Sequence, residues 1–217
     1  MPPDFSYIDF IVKLKQEIET GLPGWEAQRR MAPLGREQTH YTPVVKSASR
    51  ESAVLIWLYS TDSKIYTRLI LRAEFGVHSG QVAFPGGKVE ASDNGLWNTA
   101  LREAKEEIGL NPDTIKLVGA LTPLYIPPSN FWVHPFIGIG EKAEPDYISV
   151  AEVQKYFDID IMQLLEPSIK NEKPIGRSTG EQITAPFYNL EGYTVWGATA
   201  MILSELEELI RRVKLAH

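Results

Sequence analysis

The sequence predicts an α/β sandwich, with helices on both sides of a mixed β-sheet. Amphipathic helical runs stand near each end of the 217-residue chain and once in its middle. Short strand-like runs occupy the intervals between them. The content of 43% hydrophobic and 10% aromatic residues is enough for a sizeable core, so disorder is not the starting expectation.

Ile8 to Thr20 (IDFIVKLKQEIET) sets Ile8, Ile11, Val12, Leu14 and Ile18 at near-helical spacing, and GLPG ends the run. Trp25 to Arg50 is polar and without a clear period, which reads as an extended arm packed along the core. Ser52–Tyr59 (SAVLIWLY) and Ile65–Ala73 (IYTRLILRA) are strand-like, and the turn-forming STDSK joins them. QVAFPGGKVE follows as strand, turn and strand. The helix after Asp93 places Leu96, Ala100, Leu101, Ala104 and Ile108 on an apolar face, with Gly109 as its cap. Strand-like character returns in IKLVGALTPL, NFWVHPFIGIG and VAEVQKYFDIDIMQLL, then in a strand pair around GRSTGEQITAPFYNLEGYTVWG. GATAMILSELEELIRRVKL is an amphipathic closing helix. Residues 1–49 thus form an N-terminal helix and arm, and residues 50–217 form the main domain.

The net charge of −6 argues against a broad nucleic-acid surface, which would be basic. The chain has no cysteine, which excludes disulfides, thiolate nucleophiles and Cys-ligated zinc. MPPDFSYIDF lacks the basic-then-apolar order of a signal peptide. No run reaches the roughly 20 apolar residues needed to cross a bilayer. A cytoplasmic protein with no membrane partner is therefore expected. Nothing fixes the oligomeric state, and a homodimer is the candidate assembly.

The stretch TALREAKEEIGL carries the chemistry. Glu103, Glu106 and Glu107 stand at i, i+3 and i+4, on one helix face, with Leu101, Ala104 and Ile108 expected on the opposite side. Carboxylates are disfavoured near a helix C-terminus, and like-charge neighbours at this spacing cost about 0.2–0.5 kcal/mol per pair. A divalent ion turns that repulsion into attraction. Three carboxylates are hard oxygen donors, suited to Mg²⁺ or Mn²⁺. Taken alone, REAKEE is the composition of a solvated helix face. The preceding FPGGK sets it apart: Pro85 fixes a bend, and Gly86–Gly87 allow close approach of the backbone to a ligand.

GGKVEASDNGLWNTALREAKEEIGL resembles the Nudix box, Gly-x5-Glu-x7-Arg-Glu-aliphatic-x-Glu-Glu-x-Gly-aliphatic. Gly87 matches its first glycine, and Arg102, Glu103, Ala104, Glu106, Glu107, Gly109 and Leu110 match its end. Asp93 stands where the pattern has its first Glu, and eight residues rather than seven separate it from Arg102. Both departures look like a variant of the coenzyme A pyrophosphatase branch. HSGQVAFPGGK (His78–Lys88), PPSNFWVHPFIG and GYTVWGATAMILSEL are also similar to that branch, so the likeness covers roughly residues 50 to 205. Phe75-Gly76 stand where many members carry Leu-Arg, leaving one cation fewer.

The resemblance implies a Nudix-type α/β/α sandwich. Its expected activity is metal-dependent cleavage of coenzyme A or acyl-CoA into 3′,5′-ADP and (acyl-)4′-phosphopantetheine. It implies Mg²⁺ or Mn²⁺ on Glu103, Glu106, Glu107 and the Gly87 carbonyl. Arg102 is implied to orient a box carboxylate, with Asp93 as its partner or as a helix N-cap. Glu106 or Glu107 is the candidate general base, with Glu152 a distant alternative. His78, Gly80, Gly86 and Lys88 are expected on the substrate side, although a structural histidine and a solvated lysine are equally compatible. His134 reads as a strand histidine, and Trp196 as core that floors a pocket. The competing functions are hydrolysis of ADP-ribose, a nucleotide sugar or a damaged nucleoside triphosphate, and a non-catalytic nucleotide-sensing module.

Overall fold

The computed structural model describes residues 6–36, 48–73, 80–143, 147–176 and 182–215. Its main sheet has eight strands: β1 (Arg50–Thr61), β2 (Lys64–Arg72), β3 (Val82–Ala83), β4 (Gly86–Lys88), β5 (Lys116–Ala120), β6 (Leu124–Ile126), β7 (Phe131–Ile139) and β8 (Val153–Asp160). β1 runs parallel to β7, while the other pairings are antiparallel, so the sheet is mixed as expected. The β1–β2 turn has positive φ at Asp62 (50°) and Ser63 (59°), the backbone that matches hairpin twist.

β1 is the central element because both of its faces are buried, as its nearly unbroken apolar run requires. Ala53, Leu55, Trp57 and Tyr59 pack with Ala100, Leu101, Ala104 and Ile108 of α3 (Leu96–Ile108). Ile56 and Leu58 face the other way, against α1 (Tyr7–Thr20) and α4 (Gly197–Leu215). Each such Leu or Ile side chain contributes about 1.5–3 kcal/mol on burial. Helices therefore cover both faces of the sheet, the α/β sandwich.

The face of α1 differs in part from the expected one: Leu14, Ile11 and Ile18 pack on the core as expected, but Ile8 and Val12 do not. Phe10 and Leu14 are fully buried, whereas Ile8 and Val12 are exposed at 71% and 51%. Choosing Phe10 as the anchor, with Leu14 one turn on, gives the observed stripe. The segment from Trp25 is not wholly extended either. It forms the single turn α2 (Trp25–Gln28), followed by a 3₁₀ turn over Arg29–Met31. Residues 37–47 of the arm lie outside the described residues.

A buried carboxylate fixes this segment. Oε1 and Oε2 of Glu205 on α4 accept from the Gly24 N–H (3.1 Å), Gln28 Nε2 (2.9 Å) and Thr122 Oγ1 (2.6 Å). Removing the acceptor strands these donors, each at about 1–3 kcal/mol. Glu205→Ala is therefore expected to lower unfolding free energy by roughly 3–5 kcal/mol, read as the midpoint of urea denaturation.

A second sheet joins β9 (Lys170–Gly176), β10 (Gln182–Leu190) and β11 (Tyr193–Trp196), all antiparallel. The β10–β11 hairpin was expected. β9, KNEKPIG, was not, because it is an exposed, charged edge strand interrupted by Pro174 and shows no apolar alternation. This sheet meets the main one where β11 lies beside β3, and just after β11 the first turn of α4 is tied to β3 by Thr199 Oγ1, which donates to the Val82 carbonyl at 2.9 Å.

Candidate metal and diphosphate site

Two of the three residues of β4 are glycine because the strand is pressed between β1 and α3. A Cβ at Gly86 would run into the Ala53 carbonyl oxygen, and one at Gly87 would stand 2.5 Å from the Glu103 carboxylate. Without side chains the main chain reaches the helix, and the Gly86 N–H donates to Oε2 of Glu107 at 2.8 Å.

The three glutamates are not equivalent. Glu106 is exposed and Glu103 mostly shielded, whereas Glu107 is 1% exposed and lies among the core-facing residues, not opposite them. At 3.6 residues per turn, Glu107 stands only about 20° around the helix from Ala100 and about 60° from Ala104. Burial pushes the Glu107 carboxyl up to about 8; Glu103 and Glu152 add to the rise, while the Gly86 N–H and Arg72 oppose it. Burial also raises Glu103, against the pull of Arg102. Arg72, at the end of β2, places Nη1 3.6 Å from Oε1 of Glu107. The sequence carries no motif that singles out this arginine.

Arg102 gathers the outer part of the site. Its Nε and Nη2 donate to the two oxygens of Asp93 at 2.8 and 3.1 Å, and Nη2 also reaches the Lys88 carbonyl at 2.9 Å. Its Nη1 is 3.0 Å from Glu103 and 3.0 Å from Glu106. Asp93 is thus the arginine partner and not the N-cap, a position held by Gly95 without a side-chain bond. The Arg102 guanidinium holds the Asp93 carboxyl well below the usual carboxylate range. Gly109 ends α3 in the left-handed conformation at φ 62°, the expected cap.

Glu152 is not distant. Its loop is clamped to the end of α3, with Tyr147 Oη donating to the Lys105 carbonyl at 2.6 Å and the Ser149 N–H to the Glu107 carbonyl at 3.0 Å. The Glu152 carbonyl accepts from the Ala73 N–H at 2.8 Å. Of the expected substrate-side residues, Gly86 is bound to Glu107, and the exposed Lys88 holds Arg102 through its carbonyl. Gly80 turns the chain at φ 66°. His78 lies outside the described residues. His134 is buried in β7, with Nε2 3.6 Å from Glu51.

Among the described residues no three acidic or histidine side chains are already gathered around one point. The donor chemistry nevertheless fits Mg²⁺ or Mn²⁺. Carboxylate oxygens are the ligands such ions take, and beside the glycine step stand two shielded glutamates whose ionised forms burial disfavours, a cost that a cation would offset.

A family model described as the NUDIX domain matches residues 49–175. The chain belongs to the Nudix family. It is 29% identical over 181 residues to a Photorhabdus laumondii protein named "Uncharacterized Nudix hydrolase NudL", a match covering 82% of this chain and 96% of that one. A Salmonella paratyphi B protein of the same name is 37% identical over 132 residues, 59% of this chain and 66% of that one, so there the chain spans just under two thirds of its relative. The crystal structure of a Nudix hydrolase from M. smegmatis, RenU, superposes with a TM-score of 0.51 at 12% identity, covering 75% of this chain and 87% of that one. That likeness shows the Nudix fold. No helix of the described residues is long and apolar enough to cross a membrane.

The raised Glu107 carboxyl sets a pH dependence for the metal-free Nudix chain. A folded pKa of about 8 stands above an ordinary glutamate value of 4.5. The protonated carboxyl therefore favours the fold fully below pH about 4.5, and this contribution is lost as pH rises through about 8. Its size is on the order of 5 kcal/mol. Melting temperature in chelator is expected to fall between pH 5 and 8.5, and Glu107→Gln is expected to flatten that fall. A slope unchanged by Glu107→Gln would contradict the assignment.

Proposed function

We propose that this Nudix hydrolase is a divalent-metal-dependent pyrophosphatase that cleaves coenzyme A or acyl-CoA into 3′,5′-ADP and (acyl-)4′-phosphopantetheine. The observation that carries the chemistry is the glycine step of β4 against α3, where Gly86 bonds Glu107 and Gly87 leaves room only for the Glu103 carboxylate. The substrate is supported by the similarity of HSGQVAFPGGK to the coenzyme A branch. Residues 50–217 would form the hydrolase domain and residues 1–49 an N-terminal extension.

Glu103, Glu106 and Glu107, with the Gly87 carbonyl, would hold Mg²⁺ or Mn²⁺. When bound, the ion supplies the positive charge that a diphosphate needs in an acidic protein and lowers the pKa of water. Arg102 positions Glu103 and Glu106 and is itself fixed by Asp93, an outer contact that orients donors. Arg72, with Nη1 3.6 Å from Glu107, would offset charge on the diphosphate. The proton of the attacking water passes to a carboxylate of this group: Glu106 or Glu107 on the helix, or Glu152 on the clamped loop.

The test is a hydrolysis screen of CoA, acetyl-CoA, ADP-ribose, nucleotide sugars and deoxynucleoside triphosphates with Mg²⁺ or Mn²⁺, with products separated by chromatography. CoA is expected to give equal amounts of 3′,5′-ADP and 4′-phosphopantetheine and to have the highest kcat/KM. Efficient cleavage of ADP-ribose with CoA left intact would overturn the substrate and keep the chemistry. Cleavage of nothing would favour a nucleotide-sensing module.

A further inference from the structure

Among the described residues, two cavities outside the metal site are separated by their charge. The larger, about 600 Å³, is beside α4. Its cations are already paired with carboxylates: Lys170 and Arg211 each reach Glu207 at 2.6 Å, and Arg30 reaches Glu208 at 2.6 Å. The smaller, about 340 Å³, opens between the start of β3 and the three-stranded sheet, and its wall includes Gly80, Gln81, Lys173, Tyr193, Thr194 and Trp196. That volume falls within the roughly 300–1,000 Å³ of small-molecule sites.

Lys173, exposed at the rim, donates from Nζ to Thr194 Oγ1 at 2.7 Å and lies 4.9 Å from the Phe187 ring centroid. Lys155, on β8 of the main sheet, places its Nζ 4.6 Å from the centroid of Tyr193. Neither lysine is paired with a carboxylate among the described residues. In a chain of net charge −6, Lys173 is an unneutralised cation in the same cavity wall as the half-buried Trp196. Trp196 has no stacking partner among the described residues. An open indole face takes any nucleobase by stacking, and an ammonium takes phosphate as a point charge.

The cavity is joined to the reacting centre. The Gln81 carbonyl accepts from the Arg72 N–H at 3.0 Å, and the Arg72 guanidinium stands 3.6 Å from Glu107. Gly86 follows five residues after Gln81, so the chain separates them by at most about 17 Å.

We propose that this cavity is the nucleoside subsite, in which Trp196 stacks the base and Lys173 binds a phosphate on the ribose. The second half rests on the coenzyme A reading, since coenzyme A carries a ribose 3′-phosphate that dephospho-CoA and ADP-ribose lack. The experiment is calorimetric titration of the full chain in Mg²⁺ with adenosine 3′,5′-bisphosphate and with AMP. Lys173→Ala is expected to weaken the bisphosphate at least tenfold and AMP less than threefold. Trp196→Ala should weaken both at least tenfold, and Trp196→Phe should restore both. In hydrolysis, Lys173→Ala should lower the ratio of kcat/KM for CoA over dephospho-CoA at least tenfold. Equal effects of Lys173→Ala on the two ligands, no binding of the bisphosphate by wild type, or wild-type affinity in Trp196→Ala would overturn the subsite. If wild type leaves CoA intact, the substrate reading fails, while the two titrations still decide the cavity.

Discussion

Glu107→Gln is expected to reduce diphosphate hydrolysis by at least about a hundredfold, a loss of roughly 2.7 kcal/mol of transition-state stabilisation. Glutamine keeps the shape and an oxygen that can accept the Gly86 N–H, now 2.8 Å from Oε2. The fold and the β4–α3 contact should therefore survive. What is lost is a negative charge at a buried position, where water contributes little to holding a cation. The same substitution relieves burial of an ionised carboxyl, so the metal-free variant should match or exceed wild type in melting temperature at pH 8. Falling activity with level or rising stability marks a functional carboxylate. Joint loss of both would mark a structural one. Steady-state kinetics and thermal melts on the same preparation give the comparison.

Arg102→Ala is the second large effect, and it should strike both properties at once. It removes the partner of Asp93, whose side chain is only 3% exposed. Losing the charge-assisted hydrogen bonds between them costs about 1.5–3 kcal/mol, since the Glu90 N–H and Thr99 Oγ1 still donate to Asp93. It also frees Glu103 and Glu106 from the nitrogen that holds them, and losing an orienting contact of this kind costs roughly 10–100-fold in metal affinity or activity. Arg102→Lys keeps the charge without the fork that engages both Asp93 oxygens. It should recover part of the stability and little of the Mn²⁺ affinity. Asp93→Asn in the Arg102→Ala background should recover stability, because the stranded charge is gone, but not activity. Full activity in stable Arg102→Ala would remove the arginine from the site.

The sandwich and the glutamate-bearing helix were legible because their signals are local and periodic. The two-faced burial of β1 is visible in SAVLIWLY, and the spacing of Glu103, Glu106 and Glu107 is visible in REAKEE. Gly109 as a cap follows from a single residue type. What escaped is tertiary. Arg72 has no motif, and its role comes from where β2 ends relative to Glu107. Glu152 looks remote in sequence and is brought in by hydrogen bonds from Tyr147 Oη and the Ser149 N–H to the last turn of α3. The burial of Glu107 is partly legible, because its angular position next to Ala100 can be counted on a helical wheel. β9 escaped for a different reason: an exposed edge strand owes its conformation to pairing with β10, not to its own side chains. Ile8 and Val12 misled because apolar spacing identifies a helix more surely than it identifies which stripe is inside.

The most direct test of the metal site is a Mn²⁺ titration followed by electron paramagnetic resonance of the free ion. It needs no substrate and is independent of whether coenzyme A is the compound cleaved. Wild type is expected to bind Mn²⁺ with an affinity that rises with pH toward 8, as Glu107 gives up its proton. Glu103→Gln and Glu107→Gln are each expected to weaken binding at least about tenfold. Mn²⁺ affinity unchanged in Glu107→Gln, or diphosphate hydrolysis that persists in excess chelator, would contradict the assignment of the glycine step and α3 as the metal centre.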